Sequence, residues 1–380
     1  MKSIHWLLLV LVLGGCKDKY NAPIHIPATG YLVVEGFINA GSGSTNITLS
    51  RATGLDSPYV IPEYHAQVSV ESGDGNSYPL TELANGQYSV SQVPVDVNQK
   101  YRLRIKTTLG KEYLSDLSPV QTTPEIDSVS WIAGNDGVWI YVSTHGSQTD
   151  SRYYQWQFDE TWIYHASHLS PYVYQDYGML ILRPDPFEVY TCWSSDQSTN
   201  ISIASSAKLS LNVIPSFPLT FVPYSASDKL ISRYSILVKQ EALTQDWYEW
   251  KQKIQKNTEQ LGSIFDAQPS EITGNIHNTT DPGEPVIGFV GCTTETVKRI
   301  FIDRGQLPFV PIYDPYADCI KLDTIKNDPD SIAAFFAGGY NLVVDAVSHG
   351  TAITGYSGLA IGCMDCRALG GTTTKPDFWQ

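Results

Sequence analysis

Cysteine is the residue type whose placement carries the most chemistry in this 380-residue chain. Cys16 closes the run Leu13-Gly14-Gly15-Cys16, behind the cation Lys2 and an apolar stretch from Trp6 to Leu13. A charged start, a short apolar segment and a small pair before cysteine are what export and lipoprotein cleavage require, and about eight apolar residues are too few to span a bilayer. The expected mature chain begins at Cys16, acylated with palmitate-type chains. Several acyl chains hold where one gives only marginal binding, so the protein is expected on a membrane surface without crossing it.

Five cysteines remain, Cys192, Cys292, Cys319, Cys363 and Cys366, an odd set in a compartment that permits disulfides. Cys363-Met364-Asp365-Cys366 has the C-x-x-C spacing of redox and zinc sites. A zinc site needs a second ligand pair, however, and a thioredoxin-type site needs a βαβ context, and neither pattern is present. Disulfides are therefore expected among these five, with at least one cysteine left free. The pairings preferred are those in which Cys363 and Cys366 each bond a distant partner, because the tail after Gly362 has little periodicity to hold it by packing.

Other chemistry is weakly marked. Gly355-Tyr356-Ser357-Gly358-Leu359 misses the nucleophile elbow, since Leu359 stands where glycine is required. His165 and His168 would share a face only on a helix, and a strand pattern precedes them. No catalytic residue, metal ligand or cofactor site is assigned. The segment Tyr153 to His165 places Tyr154, Trp156, Phe158, Glu160, Trp162 and Tyr164 on one side at period two. Such a stripe is an aromatic platform for a flat ligand or the inner face of a sheet, and aromatics in strands mostly form core. Tyr154, Trp156 and Trp162 are the candidate ligand contacts.

The elements that hold these residues are mainly β. Charged residues make up 17% of the chain, whereas Tyr (23), Trp (9), Gly (29) and Pro (22) are abundant, the balance of an exported β protein. A formal charge of -14 with no basic cluster excludes nucleic acid as a partner. The expected organisation is a signal peptide over 1–15, a lipidated tether over 16–29, a β-sandwich domain over 30–123 and a larger β-rich domain over 124–380. Short alternating segments recur in the first domain: Tyr31 to Phe37, Asn46 to Ser50, Ala66 to Glu71, Ser77 to Leu80, Gln87 to Val90, Lys100 to Lys106 and Glu112 to Ser115. About seven strands with Gly-rich turns between them point to an immunoglobulin-like or transthyretin-like sandwich. In the larger domain one long helix is expected over Thr244 to Gln260, with Gly262 beyond its end. Trp247, Trp250, Ile254 and Leu261 would share its buried face, and Lys251, Lys253 and Lys256 would face solvent. A shorter helix is expected over Ser331 to Ala337.

Several stretches carry a resemblance: Leu32-Val33-Val34-Glu35-Gly36, Cys192-Trp193, Arg233-Tyr234-Ser235, Gln268-Pro269-Ser270, Gly274-Asn275-Ile276, and at the end Cys363-Met364-Asp365-Cys366-Arg367, Gly370-Gly371 and Lys375-Pro376-Asp377-Phe378-Trp379. Together they resemble the Bacteroidota outer-membrane lipoprotein family called domain of unknown function 4249. The resemblance implies a TonB-dependent outer-membrane receptor as partner, outer-membrane lipid anchoring and display at the cell surface. Similar members have an aromatic or small residue where Gly291-Cys292-Thr293 stands, so the resemblance implies that Cys292 is the unpaired thiol and that Cys192, Cys319, Cys363 and Cys366 form two disulfides. The expectation is a non-enzymatic accessory or ligand-capture subunit of a TonB-dependent transporter, with a small ligand or glycan as cargo. The alternative is a carbohydrate-binding or hydrolytic cell-surface protein.

Overall fold

The computed structural model describes residues 30–53, 59–258, 274–339 and 341–379. Cys16 and the expected signal peptide and tether lie outside these residues, as do Leu261, Gly262 and Gln268-Pro269-Ser270. The fold is mainly β, with 25 strands and few helices among the described residues.

In the first domain, alternation decides which side of each strand is dry. Along Lys100–Lys106, Tyr101, Leu103 and Ile105 are at most 2% exposed. Between them Arg102 pairs with Glu71 at 2.8 Å and Arg104 with Glu112 at 2.7 Å on the wet face. Antiparallel pairing joins Leu32–Asn39, Thr45–Arg51 and Gln87–Val90 on one side, and Gln67–Ser72, Lys100–Lys106 and Glu112–Ser115 on the other. Leu32, Val34, Ile47, Leu49, Val70, Tyr88, Leu103 and Tyr113 fill the space between. The hairpin turn into Gln87–Val90 uses Asn85 and Gly86, both at positive φ (57° and 73°), the conformation that Asn-Gly tolerates and most residues resist.

One segment crosses the boundary expected at 123/124. Ile276–Asn278 pairs with Glu112–Ser115, and Cys292–Thr293 lies parallel to both Ile38–Asn39 and Val120–Gln121. The chain thus leaves the sandwich after residue 121 and returns to it over 276–293, closing the two sides into a near-barrel. Two residues of strand carry no periodicity, which is why the return has no signature in the sequence.

The larger domain stacks two sheets. Ile126–Ala133, Gly137–His145 and Val213–Pro223 form one. Thr191–Gln197, Tyr153–His165, Arg233–Ala242 and Glu295–Asp303 form the other, with Ser202–Ser205 at its side. Their inner faces share one core, in which Trp156 stacks on Phe217 at 4.7 Å between ring centroids. This corrects the ligand-platform reading: Tyr154, Trp156 and Trp162 are 0%, 1% and 8% exposed and belong to that core. Glu160, on the same stripe, is buried too, between Lys229 at 2.5 Å and the Tyr234 hydroxyl at 2.6 Å.

A third, smaller core forms where Asp323–Lys326, Ala352–Ala360 and Asn341–His349 meet the hairpin Tyr172–Gln175/Met179–Leu182 and the helix Pro329–Phe336. That helix starts earlier than expected because the Asp328 side chain accepts from the Ser331 N–H and Pro329 occupies its first turn. Cys192 bonds Cys366 and Cys319 bonds Cys363, so both tail cysteines reach distant partners, and Cys292 is free and buried. The tail is also held by packing, contrary to the reading of its sequence. Trp379 is 5% exposed, edge-on to Trp193 and Phe301.

Candidate functional site

A cleft of about 790 Å³ opens where the sandwich, the five-stranded sheet and helix α1 (Gln245–Thr258) converge. Its three walls have separate origins in the chain. The sandwich wall is the strand Leu32–Asn39, presenting Glu35, Phe37 and Asn39, with Phe289 from the returning segment. The sheet wall is the face turned away from the aromatic core, because residues odd in number along Tyr153–His165 point opposite to Tyr154 and Trp156. Gln155 and Gln157 therefore line the cleft, joined by Lys239 and Glu295 from neighbouring strands.

The third wall is α1. Thr244 accepts from the Trp247 N–H at 3.3 Å and starts the helix. Trp247, Trp250, Lys251 and Ile254 follow at i, i+3, i+4 and i+7, so they share one face, and all four line the cleft. Lys251 was expected in solvent. The structure half-buries it on this face, since spacing and not charge decides which way a helical side chain leaves. Lys253 and Lys256 are exposed, as expected. Phe289 lies parallel to Trp247 at 5.9 Å between ring centroids and tilted against Trp250 at 5.9 Å, which docks the helix onto the sandwich. Trp250 and Phe289 also border a second hollow of about 470 Å³ that reaches Asp116 and Asn275.

Charge is concentrated at the sheet wall. Lys239 pairs with Asp159 at 2.7 Å. Burial raises the Glu295 carboxyl, with Lys239 opposing the shift. Directly across the strands, Glu241 stands between Gln155 and Glu295 at 1% exposure. Burial pushes its carboxyl up to about 7, against the hydrogen bond it accepts from the Gln155 carboxamide. Its Oε1 has no hydrogen-bond partner among the described residues. On α1, burial pulls the Lys251 ammonium down, and Glu241 and Glu35 oppose this.

The sequence-derived candidates are dispersed relative to this cleft. Tyr154 and Trp162 do not line it, and Trp156 borders it while its ring is stacked in the core. Cys192, Cys319, Cys363 and Cys366 are structural crosslinks. His165 bonds the Thr191 hydroxyl at 2.9 Å and stacks on Tyr190, and no group of three or more metal-ligating side chains forms among the described residues. The cleft residues that sequence reasoning missed, Glu35, Phe37, Gln155, Lys251, Phe289 and Glu295, lie on five different segments. Only the i, i+3, i+4 spacing on α1 could have flagged one of them.

A family model described as Domain of unknown function (DUF4249) matches residues 18–299. That span includes every residue lining the cleft and stops short of the tail motif at 363–379. The chain belongs to this family. No curated protein matches the chain. Among solved structures, one described as the structure of Yersinia pseudotuberculosis adhesin InvE is similar at 11% identity, covering 56% of this chain and 54% of that one, with a TM-score of 0.14. The chain spans about half the length of that structure.

Proposed function

We propose that this member of the DUF4249 family is a Bacteroidota outer-membrane lipoprotein, anchored through Cys16 and displayed at the cell surface. In this reading it works without catalysis, as the ligand-capture subunit of a TonB-dependent transporter. The observation that carries the reading is the make-up of the cleft. Aromatic rings from two domains flank carboxamides and fixed charges in a space of about 790 Å³, within the range of small-ligand sites. Rings give a ligand apolar contact and the polar groups set its orientation. Membrane tethering of both capture subunit and transporter raises their local concentration, so a modest interface between them stays occupied.

Two measurements test this. Fractionation of a Cys16→Ala variant is expected to release the protein from the membrane pellet, and retention as firm as the parent's would end the lipid-anchor reading. Tagged protein recovered from detergent-solubilised envelopes is expected to bring a TonB-dependent receptor in near-equal amount. A second reading, glycan hydrolysis, is favoured by two carboxylates on the cleft wall, Glu35 and Glu295, the latter raised by burial. Recovery of the lipoprotein alone, with turnover of a glycan by the pure protein, would favour that reading instead.

A further inference from the structure

On the side of α1 that borders the cleft, two indole N–H donors meet no acceptor among the described residues. Trp247 is 2% exposed and its Nε1 is buried without a partner, and the Trp250 Nε1, one turn further on, is in the same state. Lys251 forms no ion pair among the described residues. Its ammonium lies 5.9 Å from the Trp250 ring centroid, whereas the other lysine of the cleft, Lys239, is neutralised by Asp159. A buried donor left unmet is unfavourable, and an unpaired ammonium more so. Two such indoles on one helical face are unfavourable for the protein alone, and the half-buried Lys251 ammonium lies beside them.

The group that completes the set is an acceptor, and because one donor is a cation, an anion completes it best. Around it the cleft supplies apolar surface from Phe37, Phe289 and Ile254. The carboxamides of Gln157 and Asn200, which make no hydrogen bond within the protein among the described residues, add polar contacts at the rim. Glu241 and Glu35 act on the Lys251 charge through space, and neither forms an ion pair with it among the described residues. Glu35 is exposed at the mouth, Glu295 faces Lys239, and Glu241 is buried in the sheet against Gln155.

We infer that the cleft binds a small amphipathic carboxylate, its oxyanion accepting from Lys251 and the Trp250 indole N–H and its ring or apolar part resting on Phe37 and Phe289. The inference rests on the ligand-capture reading and specifies the chemistry of the ligand. An acidic sugar and the free C-terminus of an apolar peptide both present that chemistry.

Titration of the purified mature chain, followed by tryptophan fluorescence and calorimetry, tests it without any receptor present. The probes are a trigalacturonate, its neutral galactose counterpart, the tripeptide Gly-Leu-Phe as free acid, and the same tripeptide as C-terminal amide. One of the two acids is expected to bind at least about tenfold more tightly than its neutral counterpart, and which acid does so identifies the source. Lys251→Met should lose about tenfold or more in affinity. Trp250→Phe, which keeps a ring and removes the donor, should lose less, and circular dichroism should show both variants folded. The inference is overturned if neither acid binds at millimolar concentration, if acid and neutral probes bind alike, or if folded Lys251→Met binds as tightly as the parent. Those outcomes leave the receptor co-purification untouched, and failure to recover a receptor leaves this titration untouched.

Discussion

The indole of Trp247 occupies the space that a side chain at residue 291 would need: a Cβ built on Gly291 falls 2.4 Å from both Cε3 and Cζ3 of the ring. Gly291 directly precedes the two-residue strand Cys292–Thr293, which closes the sandwich, and Trp247 is the buried anchor of α1. The absent side chain is what lets the helix sit against the first domain. The cleft wall depends on that contact.

Gly291→Ala is therefore expected to destabilise the protein by about 1 to 3 kcal/mol, the usual cost of overpacking. The ring cannot simply retreat, since Phe289 stacks parallel to it. Urea unfolding measures the loss. A Trp247→Ala change in the same chain should make the two effects clearly non-additive, because it vacates the space that the new methyl group needs. Strict additivity would show that the contact does not hold the helix.

The two disulfides should differ in worth. Cys192–Cys366 spans 174 residues and Cys319–Cys363 spans 44. Loop-closure entropy then makes the longer crosslink the stronger constraint on the unfolded chain by about 1 kcal/mol. Replacing Cys192 and Cys366 together by alanine should lower the unfolding midpoint more than replacing Cys319 and Cys363 together. The reverse order would show that the local fold around residues 319–363 depends on its own crosslink.

What the sequence made legible follows from period and from locality. Tyr101, Leu103 and Ile105 alternate with charged residues, so the strand, its buried face and its wet face could be read directly. The four paired cysteines followed from an odd count and from the family resemblance that set Cys292 apart, whereas the unpatterned tail that favoured distant partners is held by packing as well. The stripe of Tyr154, Trp156 and Trp162 favours a core over a ligand platform by residue type, and the second sheet stacked upon it makes it core. The cleft was illegible because its walls come from separate stretches of chain, and because the return of 276–293 to the first domain brings Phe289 to α1. Lys251 was misplaced by giving charge priority over helical spacing.

Cys292 should behave as an inert thiol. It is 1% exposed, and burial pushes its thiol up to about 12, so the thiolate fraction at pH 8 is about one in ten thousand. An alkylating reagent should leave it unmodified in the native Cys16→Ala protein and should label it after unfolding in guanidinium without reductant. Prompt labelling of the native protein at Cys292 would mean that the strand joining the two sides of the sandwich opens readily.

Glu241 should give the stability a measurable dependence on pH. Its carboxyl is raised by burial to about 7 from an ordinary value of 4.5. Below pH 4.5 both the folded and the unfolded chain hold the proton, and the residue leaves stability unchanged. Between 4.5 and 7 the unfolded chain ionises while the folded one retains its proton, so stability falls as pH rises. Above 7 the loss is complete, at about 3 kcal/mol. Glu241→Gln keeps an oxygen to accept from Gln155 and removes the ionisation. The variant should therefore match the parent near pH 4.5 and exceed it near pH 8, in urea unfolding at each pH. Equal stabilities at pH 8 would place the Glu241 carboxylate in contact with enough charge or water to ionise without cost. In that case Lys251, its nearest cation on α1, would already have a partner, and the donor face of the cleft would lose its unpaired charge.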